Sequence, residues 1–356
     1  MMKKSIVDKI KVIAKIILYI VLIIVLTLYF SKVFLPDDTS KYYYRENVDA
    51  YVVGASGVQT GIIPMEIYDQ IGVTVDNISG GEVQLPMDYY LIKENIKINK
   101  PKVIFLDGET FFATEMQSRE LMHKTVDKYP INFNKLEFVN EEAYKMNLSE
   151  KITYLFPFFR FHDRWNEIKA KDFRYHFYGY MSYNHGYSLQ TNIIENENLK
   201  KHYMDKEDDI NEMKKIYESN YSEVYLKKIK KLCEEENIDL VLLVLPRQNW
   251  STIKHNILQE IADENGLKFI DMNLLFEELN FNQKTDLMND NHVNINGALK
   301  TSKYLASYIV KNYEIDNHRN DLQYSNWNND LKKYKQKKDE WLIEYNNKLT
   351  KVIKEN

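Results

Sequence analysis

A single cysteine, Cys233, is the only thiol in this 356-residue chain, so no intrachain disulfide can form. It lies in a charged, helical-looking stretch (KKIKKLCEEEN), where a small half-buried hydrophobe is the expected role. No group of Cys and His has zinc spacing, which argues against a structural metal, and nothing in the chain calls for a cofactor. An excess of one charge is also lacking. The net charge of −4 is too small for a general nucleic-acid binder. Glycine (11) and proline (7) are scarce, and there is neither an internal repeat nor a low-complexity tract. The 44% hydrophobic and 28% charged residues fit an ordinary folded chain with one large core, or one core plus an appendage. Beyond the N-terminal region no second run of 18 apolar residues occurs, which leaves one possible membrane span.

That span is the run IILYIVLIIVLTLYF, within residues 10–35. With the apolar residues before Lys15 it reaches the roughly 20 residues that a bilayer crossing needs. Lys3, Lys4, Lys9, Lys11 and Lys15 precede or flank it against only Asp8, while Asp37 and Asp38 follow. By the positive-inside rule the N-terminus stays in the cytoplasm and the rest of the chain lies outside. A cleaved signal peptide is the alternative. The exit FSKVFLP offers no small-x-small cleavage site, and the run exceeds a usual signal core, so an uncleaved anchor over 1–36 is expected. A polar, tyrosine-rich linker follows at 37–48.

The remainder alternates strand-like and helix-like segments. Apolar runs at 50–53, 73–75, 103–106, 240–245 and 269–270 suit buried strands. Helical spacing is found at 63–71, with Gly72 as its stop, and at 87–98, with Pro101 as its break. It recurs at 224–236, at 252–265 with Gly266 as its stop, and at 295–313. This rhythm predicts an α/β domain over 49–320, a parallel sheet covered by helices on both faces. Residues 113–221 interrupt the rhythm with aromatic-rich stretches (YLFPFFRFHDRW, FRYHFYGYMSYNHGY), expected as an insertion lying over the site. Residues 321–356 form a charged tail with Trp341, Tyr345 and Leu349 at helical spacing. They predict a C-terminal amphipathic helix that packs on the body or on a partner.

Two segments carry chemistry. Gly54-Ala55-Ser56-Gly57 ends the first strand in a small-residue turn that can present a hydroxyl at the sheet edge. Asp290-Asn291-His292 places a carboxylate and an imidazole two apart in a polar loop after the fifth strand. Both fall at the carboxyl ends of strands, where open α/β sheets bind ligands. Ser56 as nucleophile, His292 as base and Asp290 as orienter complete a constellation in the chain order Ser…Asp…His. Asp107 and Glu109, two apart, could pair as acid and base or simply be solvated strand-end charges. Arg247 and Trp250 follow the 240–245 strand and are candidates for touching substrate. His162, Arg164 and Trp165 form a polar-aromatic patch that could line an acceptor groove, with the indole stacking on a sugar face, or could equally be a buried tryptophan beside a paired arginine.

Taken together, VVGASG, Asp76-Asn77-Ile78-Ser79-Gly80-Gly81 and DNHVNINGA resemble the first, second and last blocks of the SGNH/GDSL hydrolase superfamily. The likeness covers roughly residues 49–112 and 222–312. It is nearest to membrane-anchored members that modify bacterial surface polysaccharides, such as the alginate O-acetyltransferase-like proteins and the D-alanine transfer protein of teichoic acid modification. The resemblance implies a three-layer α/β/α domain, with Gly80 supplying an oxyanion N–H beside that of Ser56, and with Asn77 near the substrate. It implies an O-acyltransferase, acetyl by default, working outside the cell through an acyl-serine. The acyl group would come from a multi-span membrane-bound O-acyltransferase, and the acceptor would be a cell-surface polysaccharide. Two departures stand out. The third block reads Leu106-Asp107-Gly108-Glu109-Thr110, without the asparagine that esterases of the family use as an oxyanion donor. In the last block, one residue separates Asp290 from His292, where many esterases have two. A surface esterase with the same residues and a non-enzymatic polysaccharide-binding scaffold are the other readings.

Overall fold

A computed structural model of the chain describes residues 2–36, 47–113, 117–170, 172–173, 183–195, 210–219 and 221–354. The chain divides into two compact units, Met1–Tyr43 with Met122–Tyr180, and Tyr44–Leu121 with Met181–Asn356. The stretch expected as one insertion over 113–221 is therefore divided. The described residues of 122–180 cluster with the N-terminal helix, and the described part of 183–221 belongs with the sheet. Of the expected linker at 37–48, only Asn47 and Val48 are among the described residues.

The second unit is α/β. Its sheet has five parallel strands in the order β2-β1-β3-β4-β5: β1 Ala50–Gly54, β2 Val75–Ser79, β3 Val103–Asp107, β4 Asp239–Val244 and β5 Lys268–Asp271. Every residue of β1 and β3 is buried, as continuous apolar runs require when both faces of a strand are covered. Helix Pro64–Ile71 packs with helix Ile295–Asn312, helix Leu85–Asn95 with helix Ser222–Glu236, and helix Thr252–Asn265 against β5. Stops legible in the sequence are present. Gly72 adopts φ 72° and donates its N–H to the Tyr68 carbonyl oxygen, which ends the Pro64–Ile71 helix in a left-handed cap. The second strand lies later than its apolar run suggested. It is an edge strand that takes in Asp76 and Asn77, and the Asn77 amide is buried because it is fully hydrogen-bonded.

The charged tail is a 30-residue helix, Ser325–Lys354, that packs on its own unit. Trp327 meets Tyr68 with ring centroids 5.5 Å apart. The Tyr334 hydroxyl donates to Glu66 Oε2 at 2.8 Å, and the Tyr345 hydroxyl donates to the Thr285 carbonyl oxygen at 2.9 Å. Of the stripe expected from the sequence, Trp341 and Tyr345 are buried.

Close approach of β1 and β3 fixes Gly54, which has φ 154° and lies where a Cβ would sit 2.2 Å from Asp107 Cβ. Gly54→Ala is expected to destabilise the unit by at least about 2 kcal/mol in a denaturant titration. Gly266→Ala, which meets nothing within 4 Å, should cost only the left-handed penalty of about 1 kcal/mol.

The first unit contains the helix Met2–Val33. Its Asp8–Val33 portion has mean hydropathy 2.7 in its most apolar window, none of which is buried. At about 1.5 Å per residue this helix is long and apolar enough to cross a hydrocarbon core of about 30 Å.

Candidate active site

Strand order reverses between β1 and β3, where the outward connections of the two halves of the sheet diverge. Ser56 sits at that point, first in the short helix Ser56–Gly61 that follows β1. Its hydroxyl donates to His292 Nε2 at 2.7 Å, across 236 residues of sequence. His292 belongs to a tight loop closed by the antiparallel bridge between Leu287 and Val293. The loop is tied to the end of β4 by the Gln248 N–H, which donates to the Asp290 carbonyl oxygen at 2.7 Å.

The other ring nitrogen does not meet Asp290. His292 Nδ1 lies 3.0 Å from Asn289 Oδ1, and the same oxygen accepts the N–H of Asn291 at 2.9 Å and of His292 at 3.0 Å. This is an Asx turn, in which a side-chain oxygen caps the backbone two and three residues on. Two backbone donors aimed at one atom identify it as the amide oxygen. The imidazole nitrogen facing it must then carry the hydrogen, which leaves Nε2 as the acceptor for Ser56. A turn that needs its side-chain oxygen at the first position thus sets the tautomer a general base requires. The orienter position expected at Asp290 is filled by Asn289, because an oxygen three residues before the histidine reaches Nδ1 through this turn. Asp290 instead lines an open groove of about 920 Å³ beside the loop, with Asn192, Met288, Lys348 and Lys351 among its other walls.

Arg247, buried at the end of β4, is the charge closest in influence to this pair. Its Nη1 lies 2.7 Å from Glu109 Oε2, its Nε donates to Asn249 Oδ1 at 2.7 Å, and its Nη2 donates to the Asn291 carbonyl oxygen at 3.4 Å. Burial, then the Arg247 cation, holds His292 below its ordinary pKa, while Glu109 opposes them. The imidazole is therefore neutral, and competent as a base, at neutral pH. Glu109→Gln removes the opposing charge. The acidic limb of a pH–rate profile for acyl-ester turnover should then move to lower pH, and an unmoved limb would show that Glu109 does not act on the histidine.

The carboxylates of the third block are muted. Asp107 accepts from the N–H of Ala55 at 3.4 Å and of Glu109 at 3.1 Å. Burial, then Glu109, pushes it up to about 7 despite Arg247. Asp88, wholly buried behind it, is held well above the carboxylate range by burial and then by Asp107. Glu109 is paired with Arg247. The negative charge that the sequence places there is thus reduced, by the raised pKa of Asp107 and by the Arg247 cation beside Glu109.

The other candidates separate cleanly. The Gly80 N–H is already used, donating to the Gly54 carbonyl oxygen at 3.2 Å, so it is not an open oxyanion donor. Asn77 Nδ2 donates to the carbonyl oxygens of Val58 at 2.8 Å and Ile62 at 3.3 Å, and its Oδ1 accepts from the Ser79 hydroxyl. It braces the helix that begins at Ser56, leaving no polar atom of its amide for substrate. Trp250 is fully buried, with its indole N–H on Asp271 Oδ2 at 2.9 Å and its ring against Phe112. An indole so enclosed belongs to the core. His162, Arg164 and Trp165 lie in the other unit, where Arg164 Nη1 donates to the Phe34 carbonyl oxygen at 2.6 Å and His162 and Trp165 are exposed. Of the three candidates in the unit that holds the serine and histidine, Arg247 alone stands beside them. Cys233 is buried, and burial pushes its thiol up to about 12, as suits an inert core residue.

Neither Asn289 nor the Asn249 that holds Arg247 stands out by residue pattern alone. The signal for Asn289 is its place: an asparagine three residues before a loop histidine can accept the backbone N–H groups two and three residues on in an Asx turn. No known protein-family model matches the chain, and no curated protein matches it.

Proposed function

We propose that the chain is an extracytoplasmic serine O-acyltransferase of the SGNH type, acting on a cell-surface polysaccharide. The observation that carries this reading is the 2.7 Å contact between the Ser56 hydroxyl and His292 Nε2, with Asn289 on the opposite nitrogen. The sheet order, the site at its switch point, and helices that pack on the strands support the finer reading of a three-layer α/β/α domain.

In the first half-reaction the Ser56 oxygen attacks the acyl carbonyl while its proton passes to His292 Nε2. The leaving group departs with that proton, and an acyl-serine forms. In the second, His292 takes a proton from an acceptor hydroxyl, whose oxygen attacks the acyl-serine, and Ser56 recovers its proton. The first-turn N–H groups of helix Ser56–Gly61 have no intrahelical acceptor, and its cap residue Ala55 has no side-chain oxygen to offer them. They are the donors we assign to the oxyanion, in place of the Gly80 N–H. Water in place of the acceptor hydroxyl would make the same residues an esterase.

The basic N-terminus argues that the apolar helix runs from the cytoplasm outward, leaving the α/β unit outside. Acyl-coenzyme A is absent there, so a membrane-bound O-acyltransferase is the proposed donor partner, and the anchor keeps the site near it at high effective concentration. Cells carrying Ser56→Ala should lose ester-linked acyl groups from their surface polysaccharide, seen by proton NMR of the purified polymer. Unchanged acyl content would sink the proposal.

A further inference from the structure

The stretch YLFPFFRFHDRW belongs to the unit that contains the apolar N-terminal helix, and its packing within that unit suggests a task of its own. Helix Phe158–Phe161 lies against the C-terminal end of the apolar N-terminal helix, within one compact unit. The Phe158 N–H donates to the Ser31 hydroxyl at 3.3 Å, and Arg164 Nη1 donates to the Phe34 carbonyl oxygen at 2.6 Å. Ring contacts run without a break from one helix into the other. Tyr29 meets Phe30 at 5.3 Å, Phe30 meets Phe34 at 6.2 Å, Phe34 meets Phe158 at 5.2 Å, and Phe158 meets Phe159 at 5.9 Å. At the end of this ladder the apolar surface is open. Phe159 is 51% exposed and Trp165 is 73% exposed, beside the exposed polar residues His162, Asp163 and Asn166.

The level of these residues follows from the span. The apolar part of the span runs from Val12 to Phe30, with Lys15 as its one charged residue, and these 19 residues cover about 28 Å at about 1.5 Å per residue, close to one hydrocarbon thickness. Ser31 and Phe34 therefore reach the outer boundary of the hydrocarbon, and whatever is bonded to them sits at the same depth. Aromatic side chains with polar neighbours at that depth suit the headgroup boundary, where an amphipathic ring keeps one part in apolar chains and another in water. An exposed tryptophan and an exposed phenylalanine in one short segment would be a liability in water, whereas at this level lipid covers both.

We propose that residues 156–165 form a second membrane contact, an interfacial surface in which Phe159 and Trp165 dip into the outer leaflet beside the anchor helix. The inference rests on the anchor being a membrane span and not on the serine chemistry. It is tested with the full chain in phosphatidylcholine vesicles whose acyl chains are brominated near the headgroup, with unbrominated vesicles as the reference. Bromine quenches indole emission only at contact range. Trp250, Trp327 and Trp341 are all buried, so Trp165 is the indole open to the quencher. Brominated lipid is expected to lower emission of the native chain, and Trp165→Phe should abolish the difference while leaving the far-ultraviolet circular dichroism unchanged. Equal emission in the two lipids, with the chain floating with the vesicles, would overturn the interfacial contact alone. A chain that does not float with the vesicles would overturn the span and the contact together.

Discussion

Ser56→Ala will reduce turnover of an activated acyl ester by a factor on the order of 10⁴–10⁶, with folding unaffected. Removing the nucleophile from a serine–histidine site leaves only binding and oxyanion contacts, and losses of about 10⁶ in kcat accompany such substitutions elsewhere. The size follows from the geometry. Ser56 is the hydroxyl on Nε2, at 2.7 Å, and the loop that holds the ring is fixed by its own backbone bonds. Losses from Ser56→Ala and His292→Ala should not add, because each removes the same proton transfer. A double variant appreciably slower than either single one would show that the two residues act separately. Ser56 is half-buried and its backbone begins a helix, so alanine is tolerated there and thermal unfolding should shift little.

The second large effect separates two neighbours in the loop. Asn289→Ala removes the oxygen that holds His292 Nδ1 and caps the turn, and should lower turnover by roughly 10²–10⁴-fold, the range of general-base assistance. Asp290→Ala should lower it far less, because it leaves the Asn289 oxygen on His292 Nδ1 and the backbone bond from Gln248 in place. Asn289→Asp keeps the oxygen, its two backbone donors and the turn, and adds a charge that stabilises the imidazolium. It should retain activity, with the His292 pKa raised and the acidic limb of the pH profile moved upward. That rescue distinguishes a positioning role from a folding defect, since a purely structural asparagine would not move the pH profile. Large loss with Asp290→Ala and none with Asn289→Ala would return the orienter role to the aspartate.

Much of this arrangement is legible in the chain, for identifiable reasons. The runs 50–53, 103–106 and 240–244 are apolar without interruption because both faces of their strands are covered, so composition alone marks them. Gly72 and Gly266 mark helix ends because only glycine readily takes the left-handed cap. Ser56 and His292 stand out because a hydroxyl after a buried strand and a histidine in a polar loop are chemistry-bearing residues at predictable edges. What stayed hidden depends on hydrogen bonds that composition does not encode. Asn289 outcompetes Asp290 through turn geometry, although the aspartate is the more familiar partner for histidine. Gly80 has the right position and the wrong orientation, since its N–H is committed to Gly54. Asn77 and Trp250 look like surface polar and aromatic contacts until their partners, two helix carbonyls and Asp271, are known. The aromatic stretch after residue 150 reads as a sugar platform by composition, yet its contacts lead to the apolar helix, which no spacing rule connects to it.

Ser56 is the residue proposed to accept the acyl group. Mass spectrometry of the chain after brief exposure to an activated acetyl ester tests it most directly. A single acetyl adduct is expected on the peptide containing Ser56, absent from His292→Ala and formed more slowly as the pH falls through the His292 titration. An adduct confined to lysines, or one that forms on Ser56 equally well without His292, would contradict it.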